Sequence, residues 1–128
     1  MKKAIIAARI VLAIIYLVYG TNYFLHFFPS SLPPGKAGDF MGGLRQSGYF
    51  FEYMKAMQII GAVLLFINRW AVMTTIVLFP ISLNIFLFHV FLQLNGLGTA
   101  VILIAANLFL LYAYRPHYRV LLAKRPLQ

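Results

Sequence analysis

Long apolar runs alternate along this chain with short polar breaks. Four runs stand out, at about 4–28, 49–67, 70–92 and 97–114. Arg9 is the only charge inside the first, and Glu52 and Lys55 fall in the first two turns of the second. Each run is expected to cross a hydrocarbon core, which needs roughly 17–25 helical residues. A helix also satisfies its own backbone polar groups there. The pattern predicts an all-α fold: a single domain, 1–128, built as a four-transmembrane-helix bundle with one outer loop at 29–48. Asn68-Arg69 predicts a tight turn that makes the second and third helices antiparallel neighbours. Gly96 and Gly98 mark helix ends around another short turn. The loop opens with PSSLPPG, which cannot be helical, and continues as KAGDFMGGLRQSG. Phe40 and Leu44, spaced i, i+4, suit a short interfacial helix in that second half, although its glycines weaken it.

Composition fixes the medium. The chain is 62% hydrophobic and 10% charged, with mean hydropathy +0.86. Soluble domains average roughly 45–50% apolar and 25% charged, so the expected partner is a lipid bilayer. The net charge of +9 sits at the ends of apolar runs, which suits an anionic leaflet and argues against nucleic acid. The absence of cysteine excludes disulfides, thiol relays and cysteine-ligated clusters, and no metal site is expected. Lys2, Lys3, Arg9, Arg69, Arg115, Arg119, Lys124 and Arg125 fall on one side of a four-span topology, against Lys36, Arg45 and Lys55 on the other. Positive charge therefore predicts both termini in the cytoplasm. Arg9 interrupts the apolar core that a cleaved signal peptide would need, so the first run is expected to stay as a helix.

Polar residues within the runs gather at one level. In the expected topology Asn22, His26, Glu52, Lys55, Gln58, Asn84, His89 and Gln93 all belong to the outer half. An ionisable side chain in a span costs at least about 2.5 kcal/mol on the mildest scale. Such groups turn inward, pair or line a wet cavity, so a shared outer pocket is expected from His26, His89, Glu52, Gln93, Asn22, Lys55 and Gln58. In the third run Ser82, Phe86, His89 and Gln93 form one stripe, while Asn84 points about 140° from His89 at 100° per residue. Asn84 is therefore assigned to helix packing with Asn107 and with Pro80, which removes a helical hydrogen bond and predicts a kink. Plainer roles compete: asparagines as interhelical glue, Glu52 and Lys55 as an i, i+3 surface pair, and the tyrosines at 16, 19 and 23 as packing. Asn22 to His26 and Asn84 to His89 also hint at two related helical hairpins.

ARIVLAIIYLVYGTNYF, FMGGLRQSGYFF, IIGAVLLFINRW, FPISLNIFLFHVFL and NLFLLYAYR carry a resemblance. In their order and spacing, from about Arg9 to Arg119, the chain resembles the DoxX family of membrane proteins. Its best single marker is Pro80-x-x-x-Asn84-Ile-x-x-x-His89. The resemblance implies a four-helix domain of the bacterial inner membrane. It also implies an association with respiratory complexes that pass electrons to quinone, or with other redox systems. It implies no transferable catalytic set.

Three functions compete. An accessory subunit of a quinone-linked redox complex would offer an apolar slot with directional polar groups at one end, His89 or Glu52 relaying protons. In that reading no cofactor is built into the chain, quinone is its ligand, and its partners are redox subunits or further copies of itself. The alternative is a non-catalytic membrane scaffold or small-solute pathway, with the same polar residues as packing. A third reading makes His26 and His89 axial haem ligands.

Overall fold

The first apolar run folds as one helix, α1 (Lys2–Leu25). The computed structural model describes residues 1–25 and 33–122, all of whose regular structure is helical. After α1 come α2 (Gly35–Gln46), α3 (Phe50–Phe66), α4 (Ala71–Phe91), α5 (Leu97–Ala113), the short α6 (Arg115–Tyr118) and a 3-10 turn, Arg119–Leu122.

The expected four-span count is corrected. Among the described residues only α1, with 24 residues, and α4, with 21, are long and apolar enough to cross a membrane. A third candidate exists if α2 and α3, bent by 91° at their junction, are taken as one broken span. Two physical causes reduce the count. Tyr49 and Ile67 are caps of α3, which leaves that helix 17 residues. The fourth run likewise yields a 17-residue α5 that starts after the left-handed Gly96 and stops at Ala113. The bend follows from Ser47 and Gly48. Ser47 closes α2 by donating its hydroxyl to the Leu44 carbonyl at 2.6 Å, and Gly48 takes φ +83°, a conformation that side chains disfavour. Two apolar, membrane-length helices in a helical bundle are consistent with membrane association.

α1 lies between α3 and α5, α4 packs on α5, and α3 meets α4 more sparsely. Gly20 lets α3 approach: a Cβ there would stand 2.8 Å from the Ile59 side chain and 3.4 Å from the Lys55 carbonyl. Leu12, Ala13, Tyr16, Ala62, Leu65, Leu78, Leu103 and Leu110 form the core. Two polar ties cross it. Tyr16 and Ser82 share a 2.5 Å hydrogen bond between α1 and α4. Asn107 donates to the Thr75 carbonyl at 3.2 Å, joining α5 to α4. Pro80 lies inside α4 without ending it, although its ring nitrogen leaves the Ile76 carbonyl without a helical donor.

The Asn68-Arg69 turn closes α3 in a specific way. Arg69 N–H bonds the Leu64 carbonyl at 3.0 Å and Asn68 N–H bonds Leu65 at 3.3 Å. That pair is a Schellman motif, with Asn68 as the left-handed residue at φ +55°. Arg9 reaches the same helix end from α1 and donates to the Leu65 carbonyl at 2.5 Å. A guanidinium there offsets the negative end of the helix dipole.

Candidate ligand cleft

At the opposite end of the bundle the helices separate. Tyr16 and Tyr19 of α1, Met54, Lys55 and Gln58 of α3, and Thr99 and Leu103 of α5 face a cleft of about 440 Å3. α4 adds Asn84, Ile85, Phe88 and His89, and Gln93 and Gly96 close the rim. α2 covers it. Its Phe40, Met41 and Leu44 line the cleft, and Phe40 approaches Phe88 with ring centroids 5.7 Å apart. The i, i+4 pair in the second half of the loop therefore belongs to a helix that forms one wall of the cleft.

Four of the seven residues expected to share a pocket line this cleft: Lys55, Gln58, His89 and Gln93. Glu52 does not. It is exposed and accepts the Tyr23 hydroxyl at 2.9 Å, in a clasp of α1 and α3 beside the Tyr23–Phe51 stack. Nor does it pair with Lys55, whose ammonium donates instead to the Gln58 amide oxygen at 3.5 Å. Asn22 is buried in α1 and is not among the cleft residues. His26 lies outside the described residues, and its pairing with His89 on a haem lies outside them too. Among the described residues no group of three or more His, Cys, Asp or Glu is placed to hold a metal ion.

Asn84 is relocated from the helix contact assigned to it. It is exposed and lines the same cleft as His89. The two point about 140° apart, but the cleft follows α4 across that whole arc. Phe88 and Ile85 fill the directions between them, at about 40° and 100° from Asn84. Ser82 departs from its stripe-mates in the opposite sense, buried with its hydroxyl on Tyr16. The asparagine that does bridge helices is Asn107.

His89 is held by its backbone surroundings. Its Nδ1 lies 3.1 Å from the Gln93 carbonyl and 3.1 Å from the Asn95 carbonyl. Both are acceptors, so Nδ1 carries the proton and Nε2 is left with a lone pair in the neutral ring. Gly96 makes this packing feasible. It sits at φ +89°, and a Cβ on it would come within 3.1 Å of the imidazole Cε1.

The sequence offered weaker signals for the remaining walls. Tyr16 and Tyr19 share a helical face with Tyr23, a spacing that reads equally well as packing. Phe88 is one phenylalanine among several in its run. No family model matches this chain, and no curated protein or solved structure matches it.

Proposed function

We propose that this is a membrane protein whose cleft binds a lipid-soluble ring molecule of the quinone class. It would serve as an accessory subunit to a redox partner that supplies the electrons. One observation carries the reading: an apolar, aromatic-walled cleft with Lys55, Gln58, Asn84, His89 and Gln93 among its lining residues. A volume of about 440 Å3 lies within the roughly 300–1,000 Å3 of small-molecule sites, which are mostly apolar with a few orienting polar groups. Phe40 and Phe88 offer ring faces, and Lys55 and Gln58 offer N–H donors to a ring oxygen. The likeness of the sequence segments to the DoxX family supports the same reading. With α1 and α4 as the spans, the basic residues near the two termini outnumber those between the spans, which favours a bacterial cytoplasmic membrane with both termini on the cytoplasmic face.

Glu52 has no part in this proposal as a proton carrier, because it is engaged with Tyr23 away from the cleft. The test is extraction of the protein purified in mild detergent, with the lipid-soluble small molecules and co-purifying proteins identified together. A bound quinone that is lost in Phe88→Trp, which fills the cleft, is the expected result. Absence of quinone from the wild-type extract, together with no saturable binding of an added short-tailed quinone, overturns the proposal. Orientation is tested separately: with no native cysteine, a cysteine at Ser31 should react with an impermeant thiol reagent in intact cells while one at Gln128 should not.

A further inference from the structure

We infer that the cleft prefers the reduced, hydroxyl-bearing form of its ring ligand to the oxidised, carbonyl-bearing form. The inference rests on the quinone-class reading and adds the redox state that the site selects. Its ground is the fixed tautomer of His89. Two backbone carbonyls, those of Gln93 and Asn95, lie 3.1 Å from Nδ1, and neither can donate a hydrogen bond. The N–H of the neutral imidazole is therefore committed to the loop between α4 and α5. The ring nitrogen left for a ligand is Nε2, which can only accept.

A quinone oxygen also only accepts. Set against Nε2, it places two lone pairs face to face and leaves both without a proton. A hydroquinone oxygen carries O–H, which Nε2 takes up directly. The ring's other oxygen meets a different environment. Lys55 and Gln58 present donors, because the Gln58 amide oxygen is already taken by the Lys55 ammonium. An oxygen accepts there in either redox state, so that side binds both forms. The discrimination lies with His89 alone.

Rigidity makes the preference durable. Reversing the tautomer would leave two carbonyls facing a bare nitrogen, and an unmade hydrogen bond of that kind is costly. Gly96 lies against the Cε1 edge of the ring, where an added Cβ would stand at 3.1 Å.

The test measures equilibrium binding of a short-tailed benzoquinone and of its dithionite-reduced hydroquinone. Both are titrated anaerobically into the full chain in mild detergent at pH 8. The hydroquinone should bind about tenfold more tightly, the scale of one well-made hydrogen bond. His89→Gln, whose amide both donates and accepts, should bind the two forms within about twofold of each other while remaining folded by circular dichroism. If His89→Gln fails to fold, Gly96→Ala, which displaces the ring without removing it, should also reduce the preference. Equal affinity of the wild type for both forms, or tighter binding of the quinone, overturns this inference and leaves the ligand class standing. Binding of neither form overturns both.

Discussion

Two sets of polar residues in the bundle work in opposite ways. Around Tyr16–Ser82, Asn107–Thr75 and Arg9–Leu65, polar atoms on one helix meet polar atoms on another. Around the cleft the helices stand apart, and His89, Lys55 and Gln58 find their partners within their own segments: the loop after α4, or one turn along α3. Polar groups that tie helices together make the bundle rigid. Those held on their own helix keep their positions without closing the space between helices, so a cavity survives. Stability and ligand binding should therefore respond to different substitutions.

Tyr16→Ala tests the interhelical ties most severely. Tyr16 is 1% exposed and belongs to both the core and the Ser82 bond. Its truncation should lower stability by about 3 kcal/mol, in the range for deleting a large buried ring. An SDS titration of the protein in dodecyl maltoside micelles would measure it. Tyr16→Phe sharpens the point. Ser82 can return its hydroxyl to its own helix, four residues back, so this variant should lose no more than about 1 kcal/mol. A Phe variant as weak as the Ala variant would show that the hydrogen bond, not the ring, holds α1 to α4.

Gly20→Val should cost about 2 kcal/mol by overpacking. The new Cβ meets Ile59 at 2.8 Å, and the Lys55 carbonyl at 3.4 Å limits its escape. The same titration checks it, and a neutral result would mean that α1 and α3 can separate freely at this level.

How much of this was legible in the sequence depends on what each residue type reports. Uninterrupted apolar runs located α1 and α4, because length and hydropathy are properties of the segment alone. The span count failed where boundaries are set by local geometry: the Gly48 turn bends α2 from α3, and the left-handed Gly96 fixes the start of α5. His89, Gln93, Lys55 and Gln58 were legible as cleft candidates because an ionisable or amide group at membrane depth demands an explanation. Asn84 lines the cleft beside His89 because a cleft can span about 140° of a helix surface, which helical angle alone does not reveal. Glu52 was misplaced because depth along a helix does not say which way a side chain turns. Tyr23, seven residues from Tyr16 in the same run, was its partner.

Gly96→Ala addresses the cleft rim that holds His89. A side chain at φ +89° should cost about 1 kcal/mol in backbone strain. The added Cβ would also press on the His89 ring at 3.1 Å. Stability should fall modestly, while affinity for a short-tailed hydroquinone falls about tenfold as one hydrogen bond is lost. The comparison fails if affinity and stability decline in strict proportion, because the cleft would then be only another part of the packed core.

The smallest stability effect is expected at Asn84, and it separates the two readings of that residue most cleanly. An asparagine that ties helices should cost about 0.6–1 kcal/mol when replaced by leucine, the scale of an interhelical bond in a membrane protein. Asn84 is instead exposed on the cleft wall, so Asn84→Leu removes no packing and leaves no buried partner unsatisfied. It should change stability by less than about 0.5 kcal/mol, as substitutions away from packed or paired sites generally do. The cleft should notice, because one of its few polar groups becomes a branched alkyl chain that narrows the space beside Phe88. Quinone affinity should fall while the SDS midpoint stays within error of the wild type. Asn107→Leu supplies the matched control: Asn107 is fully buried and bound to Thr75, yet its own amide oxygen is buried without a partner. Losing the bond and losing the unsatisfied oxygen oppose each other, so its stability change should also stay below about 1 kcal/mol, with quinone affinity unaltered. A pair in which Asn84→Leu destabilises and Asn107→Leu weakens quinone binding would exchange the roles of the two asparagines.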